Sequence, residues 1–154
     1  MRIKAVLAAI LILAAFGASA QLESDPAYGL SSDFRSWLTA NGYGSYDFIR
    51  ADVTGGSYGG RAFAGQAVVN QPVIFIHGNS DSAIGTGAAG STGWRASIEY
   101  FKSQGYTSAE IYTTTWGPAS AALSSQQYHS KPHLTRLRAF VQAVKAYTGA
   151  TKVD

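Results

Sequence analysis

The chain is 154 residues long, 46% hydrophobic, 12% aromatic and 14% charged. That composition excludes a disordered tail or a fibrous repeat, and the length allows one domain and hardly two. Of the twelve Lys and Arg set against nine Asp and Glu, Arg2 and Lys4 lie in a leader-like segment, so outside it the formal charge falls from +3 to +1 and no nucleic-acid partner is expected.

Met1-Arg2-Ile3-Lys4 is a short positive start, and Ala5 to Phe16 is an unbroken apolar run. Gly17-Ala18-Ser19-Ala20 then supplies the small residues of an A-x-A cleavage signal ahead of Gln21. This pattern predicts a signal peptide over residues 1–20 and a secreted, extracellular mature protein over residues 21–154. The apolar run falls short of the roughly 20 residues that span a bilayer, so no stable membrane span is expected, only transient contact with a lipid surface. The chain has no cysteine. Without disulfides, a secreted domain must hold itself together through its core.

Ser31-Ser32-Asp33 reads as a helix start, with Phe34, Trp37 and Leu38 on one face and Asn41-Gly42 as the stop. Between Tyr43 and Gln71 the pattern is mixed. Tyr46, Phe48 and Ile49 are expected to be buried, and Gly55-Gly56-Ser57-Tyr58-Gly59-Gly60 to form a turn-rich loop. From Pro72 the signal sharpens. Val73-Ile74-Phe75-Ile76 predicts a strand buried on both faces, ended by His77-Gly78-Asn79 and followed by a polar, glycine-rich loop to Gly93. Trp94, Ile98 and Phe101 predict a helix stopped at Gly105, and Ala109 to Thr115 predicts a second strand. Pro132 suits a first helical turn, and Leu134, Leu137, Val141, Val144 and Thr148 mark the apolar face of a helix closed by Gly149. Lys152-Val153-Asp154 looks like the start of a third strand, cut off. With right-handed crossovers, this order predicts a parallel α/β sheet with flanking helices.

The strand PVIFIHGNSD, running straight into His77-Gly78, resembles the oxyanion strand of α/β-hydrolase lipases. The stretches TGWRASIEYFKSQGYTSAEIYTTTWG and FVQAVKAYTGATKVD look like the secreted class 2 lipases of nematode type, and GGSYGG also fits that family. The resemblance implies the N-terminal part of an α/β-hydrolase fold, truncated before its nucleophile elbow. It implies a lipase that hydrolyses lipid or other carboxylic esters by Ser-His-Asp acyl transfer, with no metal or organic cofactor. Fixed N–H donors stabilise the tetrahedral oxyanion of such a reaction without reorganising. By resemblance the Asn79 backbone N–H is one donor, Gly78 makes the turn of the oxyanion loop, and His77 supports that loop structurally. The second donor follows the nucleophile. In this family a valine-rich strand and a Gly-His-Ser-x-Gly elbow come next, and Ser, Asp and His follow in that order, so all three are expected beyond Asp154. The 154 residues alone are then expected to be inactive and poorly soluble. A secreted, non-catalytic binding domain on the same scaffold is the second reading.

Three other motifs carry less. Gly55-Gly56-Ser57-Tyr58-Gly59 matches G-x-S-x-G, but no apolar strand leads into it and no helix leaves it. Gly85-Thr86-Gly87-Ala88-Ala89-Gly90 matches a dinucleotide fingerprint with Glu110 twenty residues on, yet it does not sit directly at a strand end. His129 and His133 are four apart, but Pro132 between them starts the helix, so two solvated histidines are expected rather than a metal pair. Arg136, Arg138 and Lys145 read as a solvated helix face, and Trp116-Gly117-Pro118 as the aromatic turn nearest the site.

Overall fold

The structure is a computed structural model that describes residues 29–154. The leader expected over residues 1–20 lies outside the described residues. Strand β1 covers Gly29–Leu30 and leads into helix α1, Ser32–Ala40. Ser31 caps that helix, its Oγ accepting from the Phe34 N–H at 3.2 Å. Asn41 closes it as expected, its N–H donating to the Trp37 carbonyl at 3.0 Å. Strand β2 is Ser57–Gly59 and β3 is Val73–Phe75, followed by helix α2, Arg95–Ser103. Strand β4, Ile111–Thr114, and helix α3, Lys131–Thr148, complete the fold, with Gly149 in the left-handed conformation ending α3.

The four strands form one sheet in the order β1-β2-β4-β3. β3 and β4 run parallel, with Val73 opposite Ile111 and Phe75 opposite Thr113. The expectation of a wholly parallel sheet needs correcting, because β2 runs antiparallel to β4 and the sheet is mixed. The physical reason is in the connections. An α-helix crosses over between β3 and β4, which are parallel, whereas the chain between β2 and β3 makes no helical crossover. Beyond β3, the Ile74 N–H donates to the Asp154 carbonyl at 2.7 Å and the Asp154 N–H to the Pro72 carbonyl at 3.0 Å. Residues 152–154 thus begin to pair along the outer side of β3, as their sequence suggested.

Side chains alternate across the sheet and define two cores. On one face, Tyr112 packs with Phe34 and Leu38 of α1 and with Phe140, Ala143, Val144 and Tyr147 of α3. On the other, Ile111, Phe75 and Tyr58 pack with Ile98, Trp94 and Phe101 around α2, joined by Ala83 and Ile84 from the loop after β3. Fully burying an aromatic such as Phe34 or Phe140 contributes about 1.5–3 kcal/mol, so a helix–sheet–helix stack can stand without disulfides.

Several side chains depart from expectation. Phe48 is buried, but Ile49 is 39% exposed because its carbonyl, not its side chain, faces the sheet and accepts from Ser57 Oγ at 2.7 Å. Ile74 and Phe75 touch opposite cores but are only half-buried, and Ile76 is exposed. The buried stripe of α3 runs through Ala139, Phe140, Ala143, Val144 and Tyr147, leaving Leu134 half-exposed. Aromatics and small alanines, not the aliphatic positions, decide that face: Phe140 and Tyr147 reach Phe34, while the alanines let the helix approach closely. The segment Gly55–Gly60 is buried throughout and contains β2, so it is not a surface loop. At Gly56 a Cβ would collide with the Arg50 carbonyl, and at Gly59, with φ of 122°, it would strike the Ile111 carbonyl. Main chain meets main chain there, which gives GGSYGG its mechanical reason. Among the described residues, no helix is long and apolar enough to cross a membrane.

Candidate active site

The parallel strands β3 and β4 end together, and the residues singled out from sequence lie at that end. His77 is buried and follows β3 by two residues. Its Nε2 accepts from the Trp116 backbone N–H at 3.1 Å, and its Nδ1 lies 2.7 Å from the Gly78 carbonyl. A backbone N–H can only donate, so Nε2 holds the lone pair and Nδ1 carries the proton given to Gly78. Burial pushes the ring's pKa below the ordinary histidine value, against a smaller opposing effect of the Gly78 hydrogen bond. The imidazole is therefore neutral at pH 7, and both of its nitrogens are engaged. It has no lone pair left with which to take a proton from a serine.

Gly78 and Asn79 are exposed, and a Cβ at Gly78 would meet nothing within 4 Å. The Asn79 side chain donates from Nδ2 to the Ser124 carbonyl at 2.9 Å, tying the loop to the 3-10 turn at Ala121–Gln126. Ser80 has a positive φ of 69°. The chain then dips back inward. The Ala83 N–H donates to Thr115 Oγ1 at 2.9 Å, and the Ile84 N–H to the Gly55 carbonyl at 2.9 Å.

Across from His77, Trp116 follows β4 and is buried. Its indole Nε1–H donates to the His77 carbonyl at 2.8 Å, and the two rings stack 5.4 Å apart at 9°. Arg50, which no sequence motif marks, is buried and sends Nη1 to the carbonyls of Thr115 and Gly117 at 2.7 and 2.8 Å. Its other nitrogens hold Asp52 in a bidentate pair at 2.8 Å each. That hydrogen-bonded guanidinium holds the mostly exposed Asp52 carboxyl below the usual range. Arg136 is also no mere solvated residue, because its Nη1 reaches the Trp116 carbonyl at 3.4 Å. A cavity of about 250 Å³ lined by Asp52, Ser82, Pro118 and Ala119 lies alongside. A larger one of about 570 Å³, lined by Asp33, Trp37, Arg61 and Tyr147, opens at the opposite sheet edge and takes no part here.

The remaining motifs separate from this cluster. Ser57 lies buried within β2, its hydroxyl given to Ile49, so the literal G-x-S-x-G is a strand and not an elbow. Glu110 is buried before β4, where its carboxylate accepts from the N–H groups of Val69, Asn70 and Thr107. It cannot read a ribose held at Gly85–Gly90, since that loop lies at the other end of the sheet. His129 lies outside α3, as expected, but neither it nor His133 is merely solvated. Their rings pack against Trp116 at 5.9 and 5.1 Å between centroids. Among the described residues, no group of three or more His, Cys, Asp or Glu could hold a metal ion.

The chemistry such a corner can perform is oxyanion stabilisation, in which a glycine turn at a strand end presents main-chain N–H groups. Among curated proteins, none matches the chain. Residues 70–154 match the family described as Lipase (class 2), a span that takes in β3, the His77-Gly78-Asn79 turn, β4 with Trp116, and α3. The match covers more than half of the 154 residues and carries a lipase, ester-hydrolysing kind of function, so the chain belongs to the class 2 lipase family.

Proposed function

We propose that the His77-Gly78-Asn79 turn is the oxyanion corner of a secreted serine hydrolase acting on lipid esters, with Ser, Asp and His supplied by sequence following Asp154. The serine oxygen attacks the ester carbonyl, and a histidine of that later sequence takes the hydroxyl proton. The Asn79 backbone N–H, together with that of the residue after the nucleophile, holds the negative oxygen. Collapse breaks the bond to the alcohol, which leaves with the proton from histidine. Water then attacks the acyl-enzyme and releases the acid. His77 acts as a support, Gly78 as the turn. The reading needs no metal or organic cofactor.

One observation carries this assignment of roles: both nitrogens of His77 are engaged within the protein, which fits a loop support and disqualifies a base. The sequence past Asp154 is expected to read a valine-rich strand and then Gly-His-Ser-x-Gly. The full-length protein is expected to hydrolyse p-nitrophenyl butyrate, with turnover abolished by a serine-directed phosphonate, while the 154-residue chain alone shows none. An elbow with its serine replaced, or a full-length protein without turnover above buffer, overturns the reading in favour of a non-catalytic binding domain.

A further inference from the structure

Gly78 is the weak point of the corner. It has no side chain, and nothing crowds its Cα, so its own packing does not fix the direction in which the Asn79 peptide points. The Gly78 carbonyl, which shares its peptide plane with the Asn79 N–H, accepts from His77 Nδ1 at 2.7 Å, and two further tethers bracket the turn. On the far side, Asn79 Nδ2 holds the Ser124 carbonyl. On the near side, the Trp116 indole N–H holds the His77 carbonyl, and that carbonyl shares its peptide plane with the Gly78 N–H. Trp116 also gives its own N–H to His77 Nε2, so ring and main chain of His77 are both fixed by one residue.

Trp116 is itself held on every side. Arg50 grips the carbonyls immediately before and after it, Arg136 reaches its own carbonyl, and His77, His129 and His133 pack on its indole. Arg50 adopts a left-handed φ of 50°, a conformation that non-glycine residues seldom take. Its buried guanidinium is in turn oriented by the bidentate Asp52.

We infer that Trp116, clamped by Arg50, is the positioning residue that sets the His77–Gly78 peptide plane and through it the oxyanion-binding turn. The inference rests on the oxyanion reading for its catalytic consequence, but its structural half stands by itself. Trp116→Phe keeps an aromatic ring and the backbone N–H but deletes the indole donor together with the five-membered half of the indole. Hydrogen exchange followed by mass spectrometry is expected to show residues 77–80 exchanging about tenfold faster in the variant, with α3 unchanged. In the full-length enzyme, kcat for p-nitrophenyl butyrate is expected to fall about 30-fold with KM within twofold, since the oxyanion forms only in the transition state. Arg50→Lys keeps the charge but not the fork, and is expected to move both readouts in the same direction by a smaller factor. It carries the test if Trp116→Phe does not fold.

The outcomes separate cleanly. Unchanged exchange at 77–80 and unchanged kcat in the folded variants overturn the positioning role. Faster local exchange in a full-length protein without esterase activity upholds positioning and sinks the catalytic reading.

Discussion

At the residue scale, the neutrality of His77 has a measurable consequence. Its pKa in the folded protein lies below that of a free imidazole, chiefly through burial. The stability it contributes is therefore complete above about pH 6.5 and is lost as the pH falls, when unfolding gains a proton that the folded ring resists. The melting temperature of the wild type is expected to drop between pH 7.5 and pH 5.5. His77→Gln keeps an acceptor for the Trp116 N–H, and its own melting temperature is expected to change less over the same interval. Equal slopes for the two proteins would show that His77 does not titrate on unfolding. The residue itself was legible in the sequence, because an apolar strand ending in His-Gly is a strong local pattern. Arg50 was not. Its partners Thr115 and Gly117 lie 65 and 67 residues away and are bound through carbonyls that every residue possesses.

At the element scale, β2 tests how tightly the sheet is drawn. Gly59 combines a positive φ with a Cβ position occupied by the Ile111 carbonyl, so Gly59→Ala adds overpacking to backbone strain. The expected cost is about 3 kcal/mol or more. Gly105 also has a positive φ, of 90°, but opens onto free space, and Gly105→Ala is expected to cost only about 1 kcal/mol. Thermal unfolding followed by circular dichroism distinguishes them, and a Gly59→Ala protein as stable as Gly105→Ala would refute the close approach. This is also where the sequence was hardest to read. The helices and the strands β3 and β4 announce themselves through apolar periodicity, since each must bury one face or both. Ser57-Tyr58-Gly59 has no such period, and its strand exists because glycines let three main chains come together. On α3 the expected face shares Val144 with the buried one, but the stripe is turned toward Phe140 and Tyr147, and Ala139 and Ala143 between them are too small to mark it in the aliphatic pattern.

At the scale of the whole molecule, helices cover both faces of the sheet while one side of β3 depends on three residues. Val153 packs into the α1–α3 core, and Asp154 exchanges two hydrogen bonds with Pro72 and Ile74. A chain ending at Thr151 loses both bonds and uncovers β3, which carries Ile74 and Phe75. Compared with the chain ending at Asp154, it is expected to be destabilised by about 2 kcal/mol and to associate as its concentration rises. Circular dichroism and light scattering give the comparison. Identical melting and scattering would mean that the pairing contributes nothing to stability or solubility.

Glu110 gives this architecture a common zero. One carboxylate grips the main chain just before β3, through Val69 and Asn70, and just before β4, through Thr107. Both parallel strands are thus measured out from the same mark, and Val73 lies level with Ile111. Counted along that register, His77 comes level with Thr115, one residue short of the tryptophan that holds it. Adding or removing a single residue in either strand would displace its far end by about 3.3 Å and turn its side chains to the wrong faces. The two strands behave as a matched pair of rulers, and the accuracy of the corner at one end of the sheet is set by a buried acid at the other.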